Sequence, residues 1–275
     1  MHDTLISPEQ LRALTAPAVL LDCRFDLANT AAGEAAYAQG HLPGAHYAHL
    51  DRDLSSPRVP GSGRHPLPTR EVFAVTAARL GLTPDTPVVL VDAQGGMFAA
   101  RAWWMLRWMG HEPVAVLDGG KAAWLAAGGA LDSAVPSAAG GAAYPDQPQA
   151  MSTVSAAELQ QRLGKVSLVD ARAGERYRGE TEPLDTRAGH IPGAVNRFFK
   201  HNLQPDGHFK SVQALREDWL PLLQTGLPVV HQCGSGVTAC HNLLALAHAG
   251  LGEGVLYPGS WSEWSADPGR PVALG

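Results

Sequence analysis

The sequence predicts an α/β fold built twice: two similar domains, each a mostly parallel sheet flanked by helices on both faces. Two observations carry this prediction. Segments of the first half recur in order in the second: "VLLDCR" (19–24) returns as "SLVDAR" (167–172), and "GHLPGAHYAHL" (40–50) as "GHIPGAVNRFF" (189–199). "TPVVLVDAQGGMFAARAWWML" (86–106) matches "LPVVHQCGSGVTACHNLLAL" (227–246), and "LDGGKAAW" (117–124) matches "LYPGSWSEW" (256–264), at an offset of about 139 to 149 residues. Each half also alternates short β-branched runs with amphipathic or apolar helical stretches, the pattern of a parallel sheet covered on both faces.

The elements follow in order. The first domain is placed at 1–140, a linker at 141–152 and the second domain at 153–275. The linker rests on composition: "AVPSAAGGAAYPDQPQAMS" (134–152) is rich in Ala, Gly, Pro and Ser and has nothing with which to build a packed interior. In the second domain, "VSAAELQQRL" reads as a helix in which Ser155 caps the N-terminus and Glu158, three residues on, completes a capping box. "VSLVD" and "PVVHQC" read as buried strands, "SVQALREDWLPLLQ" and "VTACHNLLALAHAG" as helices. In such sheets, sites form outside the C-terminal ends of strands. Cys233 falls at that position.

Bulk properties narrow the function. A chain of 275 residues, 45% hydrophobic and 17% charged, is a soluble globular protein long enough for two domains. The formal charge of −5 argues against nucleic acid as a partner, and neither half is basic: 10 basic and 13 acidic residues precede residue 140, against 11 and 13 after it. Apolar runs are far shorter than the ~20 residues a membrane span needs. The polar N-terminal stretch lacks the plan of a signal peptide, and three cysteines without a CxxC pair do not make a disulfide framework, so cytoplasm is the expected location.

The loop after Cys233, "CGSGVTA", has a chemistry of its own. Gly234 and Gly236 let the backbone curl, so that consecutive N–H groups can face one point, and the following helix N-terminus adds its partial positive charge there. Both effects favour a thiolate, the reactive form of cysteine, and would also hold an anion that it attacks. Isolated cysteines are more often small buried hydrophobes. Against that bland reading, the first half carries Asp92 at the equivalent position, as expected of one working domain and one supporting domain. A cysteine phosphatase needs an arginine six residues after its nucleophile to clamp phosphate. Position 239 is Ala, which excludes that chemistry.

With its neutral loop, "CGSGVTA" resembles the active-site loop of the tandem-domain rhodanese superfamily, specifically the 3-mercaptopyruvate sulfurtransferase branch; thiosulfate-using rhodaneses more typically carry basic residues after the cysteine, as in CRKGVTA. The "GHLPGA"/"GHIPGA" pair and "LYPGSWSEW" resemble further signatures of that superfamily, over nearly the whole chain. The resemblance implies two rhodanese-like domains, the second catalytic. Cys233 takes a sulfur atom from 3-mercaptopyruvate as a persulfide and passes it to a thiol or to cyanide, with no cofactor or metal. It implies that Arg176 binds the anionic group of the donor and that Gly234, Gly236, Val237 and Thr238 line the cradle. The branch usually has a second arginine in an EPRDG-like stretch; here "EPLDTRAGH" puts Leu184 at that place, and Arg187, three residues on, is the candidate substitute. An Asp–His–Ser relay is implied as well, with Ser235 as the serine, His65 of "RHPLP" as the histidine and Asp51 of "HLDRDL" as the first candidate for the aspartate, Asp53 being the second. A structural role in a long loop is the competing reading for His65 and Asp51.

Other residues have quieter roles. His41 and His190 occupy matching turns and are expected to make structural hydrogen bonds; His231 is expected to pack in the sheet and Cys240 in the core, Arg101 to be structural at the start of its helix, and Trp261 and Trp264 to pack the final turn, with "PGSW" an alternative candidate for the pocket wall. No group of His, Cys and acidic residues has metal-ligand spacing. The expected partners are a small sulfur donor and a thiol or cyanide acceptor, with a thioredoxin-like protein as one candidate acceptor. Two rival functions stay open: thiosulfate:cyanide sulfurtransfer on the same scaffold, and a non-enzymatic persulfide carrier or redox sensor.

Overall fold

A computed structural model of the chain describes residues 3–137 and 143–275. It separates into two compact units, and two short segments are exchanged between the halves of the sequence. The first unit takes in residues 1–56, 68–150 and 205–209, the second 57–67, 151–204 and 210–275. The domain limit expected at residues 140–141 lies outside the described residues. Apart from those exchanged segments, the change of unit falls between Ala150 and Met151.

The first unit holds five strands, β1 (Leu5–Ile6), β2 (Val19–Asp22), β3 (His46–Tyr47), β4 (Val88–Val91) and β5 (Val114–Leu117), in the order β1-β5-β4-β2-β3. The second repeats the plan with β6 (Ser152–Thr153), β7 (Ser167–Asp170), β8 (Ala194–Asn196), β9 (Val229–Gln232) and β10 (Val255–Leu256), ordered β6-β10-β9-β7-β8. Every strand pair within these sheets is parallel. All four residues of β4 and of β5 are buried, as central strands covered on both faces must be.

In the second unit the covering is legible residue by residue. Val230 packs with Leu159, Trp261 and Trp264, which come from the helices Ala156–Gln161 and Ser260–Ala266. His231, the next residue, points to the other face and meets Trp219 of the helix Val212–Leu223. Ser155 caps its helix as expected: its hydroxyl accepts from Glu158 N–H, and the Glu158 carboxylate accepts from Ser155 N–H at 2.9 Å.

The duplicated motifs repeat their bonds as well as their sequence. Asp22 grips Arg24, and Arg24 donates to Gly40 O at 2.9 Å; Asp170 grips Arg172, which donates to Gly189 O at 2.7 Å. His41 and His190 each hydrogen-bond a tyrosine carbonyl, Tyr37 O and Tyr177 O, at 2.9 Å and stack on that tyrosine's ring. Arg101 is fully buried and donates to Leu54 O. These residues build the scaffold. No helix among the described residues is long and apolar enough to cross a membrane.

Candidate active site

Cys233 stands one residue past the end of β9, is 1% exposed, and opens the loop to the helix Thr238–His248. Three bonds from the segment after β10 hold it there. Cys233 N–H donates to Ser260 Oγ at 3.1 Å, while Trp261 N–H and Ser262 N–H donate to the carbonyls of Cys233 and Gly234, each at 2.9 Å. A trans peptide points its N–H and C=O in opposite directions. The N–H groups of Gly234 and Ser235 are therefore turned away from that segment. Gly236, at φ +76°, passes so close to Pro258 O that a Cβ would lie 2.3 Å from it, so only glycine fits there. Cys240 is buried and donates its S–H to Gly236 O at 3.3 Å, a core position.

The first unit shows what such a loop holds. Asp92 ends β4 as Cys233 ends β9, and its carbonyl accepts from Lys121 N–H at 2.9 Å, the counterpart of the bond from Trp261. Its carboxylate takes four backbone N–H groups, those of Gln94, Gly96, Phe98 and Ala99, at 2.9 to 3.1 Å. The loop is an anion cradle with its own anion built in. The N-cap residue of the helix Ala99–Trp108, Phe98, offers no side-chain acceptor, and Asp92 serves in its stead. Val237, at the N-cap of Thr238–His248, offers none either, and the strand end behind it carries a thiol instead of a carboxylate.

The other site residues gather around this loop inside the second unit. His65, carried by residues 57–67, has Nδ1 2.8 Å from Ser235 Oγ, and both side chains are buried. Its neighbour Arg64 has its backbone N–H on Ser262 Oγ at 3.0 Å and its guanidinium Nη1 on the Asp185 carboxylate. Arg176 donates through Nη2 to Glu182 at 2.6 Å and to Asp185 at 3.1 Å. The remaining amino groups of both arginines face the thiol loop: a Cβ on Gly234 would lie 2.8 Å from Arg64 Nη2 and 3.4 Å from Arg176 Nη1. Two guanidinium arms beside a cysteine, with a serine–histidine pair in reach of the same loop, can seat an anionic donor and a proton donor together.

Arg64 was not legible as a site residue in the sequence; its one distinguishing feature was its place next to His65 in "RHPLP". Arg187, expected to replace the arginine missing at Leu184, does not do so. Its guanidinium is spent on the carbonyls of Trp264, Ser265, Asp267 and Arg270, at 2.6 to 3.1 Å, and ties down the C-terminal segment. Asp51 lies in the first unit, where its N–H donates to His49 Nδ1 at 3.1 Å. Trp261 and Trp264 are fully buried. Among the described residues no three His, Cys, Asp or Glu side chains converge as metal ligands do.

Fold and site together define a class: duplicated parallel α/β proteins whose second domain presents a cysteine in an anion-holding loop, while the first holds a carboxylate there. The rhodanese-like domain family matches residues 7–127 and 155–267. The chain is 50% identical over 280 residues to a Pseudomonas aeruginosa protein named "Probable 3-mercaptopyruvate sulfurtransferase", with 98% of each chain covered. It is 34% identical over 235 residues to the thiosulfate sulfurtransferase of Gallus gallus, covering 83% of this chain and 79% of that one. The solved structure of 3-mercaptopyruvate sulfurtransferase from Leishmania major superposes with a TM-score of 0.84 at 30% identity, over 96% of this chain and 74% of that chain. The chain belongs to the rhodanese family, in its tandem-domain 3-mercaptopyruvate and thiosulfate sulfurtransferase group, and is an enzyme of the sulfurtransferase class.

Proposed function

We propose that the enzyme moves sulfur from 3-mercaptopyruvate to a thiol or to cyanide through a persulfide on Cys233. The observation that carries the choice of donor is the pair of amino groups, Arg64 Nη2 and Arg176 Nη1, beside Gly234. A carboxylate has two oxygens for two such arms. The opposing charges behind them are already balanced: Arg64, Arg172 and Arg176 meet Asp170, Glu182 and Asp185. A donor with one negative charge suits this setting better than the thiosulfate dianion.

In the first half-reaction the Cys233 thiolate attacks the thiol sulfur of the bound donor. A sulfur–sulfur bond forms, the carbon–sulfur bond breaks, and its electron pair leaves on carbon as the enolate of pyruvate, which takes up a proton. Ser235, bonded to His65, is the candidate donor of that proton, with the imidazole able to resupply it. In the second half-reaction a thiolate, whether a small molecule or a thioredoxin-like protein, or cyanide attacks the outer sulfur. The sulfur–sulfur pair returns to Cys233, and the product is a persulfide or thiocyanate. The transferred sulfur is itself the covalent intermediate, so the cycle calls for no cofactor.

Steady-state transfer to cyanide from 3-mercaptopyruvate and from thiosulfate tests this reading. Wild type is expected to favour 3-mercaptopyruvate by at least about tenfold in kcat/KM, with Cys233→Ser inactive. Mass spectrometry after donor alone is expected to find Cys233 heavier by one sulfur atom. A preference for thiosulfate overturns the donor assignment. Inactivity with both donors, joined to uptake of sulfur from a protein persulfide, supports the carrier instead.

A further inference from the structure

We propose that Asp185 is a specificity-determining residue: by holding the backs of both donor-facing arginines, it sets the negative charge a donor can carry. This rests on the reading above only in placing the donor's anionic group at Arg64 and Arg176. The Asp185 side chain is 4% exposed and receives Arg64 Nη1 on one oxygen and Arg176 Nη2, at 3.1 Å, on the other. One carboxylate thus orients two cations and cancels the charge of one. Glu182 is equally buried, but it divides itself between Arg172 and Arg176 and accepts from Leu184 N–H and Asp185 N–H, which fixes the turn that presents Asp185. Asp170 is committed to Arg172. Asp185 is the acid that both donor-facing arginines share.

The consequence is electrostatic. A single carboxylate entering between Arg64 Nη2 and Arg176 Nη1 makes two charge-assisted bonds and meets the Asp185 charge once. A dianion makes the same bonds and meets it twice, in a partly buried setting where solvent screens less than at the open surface. Leu184 fits this scheme. It stands where the branch usually has its second arginine, is about half exposed, and adds no charge, so the balance is left to Asp185. Gly234 fits too, because a basic residue there, as in loops that use thiosulfate, would have to displace the tip of Arg64.

The test is the ratio of kcat/KM for thiosulfate to that for 3-mercaptopyruvate, measured in wild type, Asp185→Asn and Asp185→Glu. Removing the charge in the Asn variant is expected to raise the ratio roughly tenfold or more, the order expected for one charge a few ångströms behind the grip. The Glu variant keeps the charge and is expected to stay within about twofold of wild type. A parallel loss with both donors in Asp185→Asn leaves the ratio unmoved and overturns the proposal, since it makes Asp185 only a brace for the arginines. The change in ratio is read against wild type whichever donor wild type prefers, so the donor assignment can fail while this inference stands, and the reverse.

A second measurement does not depend on turnover. Pyruvate, with one charge, and sulfate, with two, are titrated as protectants of Cys233 against alkylation. In Asp185→Asn the sulfate constant is expected to tighten relative to that of pyruvate, and an unchanged relation between the two overturns the proposal. Asp185→Ser, smaller and also neutral, serves in both measurements should the Asn variant not fold.

Discussion

Ser260 and Gly120 occupy corresponding turns of the two repeats, at φ +55° and φ +57°. In the first unit glycine adopts this left-handed conformation without strain. In the second, serine does so, the one non-glycine residue at positive φ among the described residues. A side chain in that region costs about 1–2 kcal/mol. The hydroxyl offsets it: Ser260 Oγ accepts from Cys233 N–H at 3.1 Å and donates to Tyr257 O at 2.9 Å, fully buried. The strain is therefore confined to the repeat that carries the thiol, at the residue that fixes the thiol's own peptide. Both Ser260→Gly and Ser260→Ala lose the bond, but only Gly is freed of the strain. Ser260→Gly is expected to be less destabilised than Ser260→Ala by about 1 kcal/mol, the reverse of the usual helix order, in urea unfolding. Sulfur transfer is expected to fall in both. A glycine variant less stable than the alanine variant would mean that the turn is not strained.

At the scale of elements, the two strand–loop–helix units divide one design between two tasks. Asp92 closes the cradle of the first and caps the helix Ala99–Trp108 from outside its N-terminus, which makes that loop a structural joint. Asp92→Ala would leave four backbone donors, three of them buried, without their acceptor and is expected to cost about 3–5 kcal/mol. Hydrogen exchange should locate the loss at residues 93–101, and unchanged protection there would show that the cradle stands without its anion. What the sequence disclosed follows the same division. The repeats, the Ser155 capping box, the buried strand ahead of Cys233 and the contrast of Cys233 with Asp92 are local patterns, readable because spacing and residue type determine them. The roles of Arg64 and Arg187 were not, because where a long guanidinium turns is decided by distant partners. Arg187 lies in the expected stretch yet is claimed by carbonyls of residues 264–270, whereas Arg64 reaches Asp185 from 121 residues away. The exchanged segments 57–67 and 205–209 escaped for the same reason. The first is held by Arg64 and His65, and the second by Phe209 N–H on the Asp118 carboxylate at 2.8 Å.

At the scale of the whole molecule, each unit carries a fully buried histidine that shapes its response to acid. His111 in the first pairs Nδ1 with Tyr144 Oη at 2.9 Å, and burial pushes its pKa down to about 4. His231, in the middle of the second sheet against Trp219, has neither ring nitrogen hydrogen-bonded, and burial takes it down to about 3. The sign follows from where the protons go. In the unfolded chain both titrate near 6.5, so between that pH and 4 or 3 the unfolded state binds protons that the folded state refuses. Stability contributed by neutral, buried imidazole is complete above about pH 6.5 and falls by about 1.4 kcal/mol per pH unit per histidine below it. His46 and His201, partly buried and also lowered by burial, act in the same direction. Cys23 sets the opposite limb: burial first, then Asp22, raises its thiol well above the ordinary value, so ionisation of the unfolded thiol costs stability above about pH 8.5. Urea unfolding is therefore expected to show a plateau near pH 7 to 8 and a loss of roughly 2 kcal/mol per buried histidine by pH 5. His231→Leu should shallow the acid slope by about one histidine's share, since it removes the proton acceptor of the unfolded state while keeping an apolar side chain against Trp219. An acid limb of unchanged slope in that variant would mean that His231 is solvated in the folded protein, and the second sheet would then be open to water one strand position from Gln232 and two from the thiol.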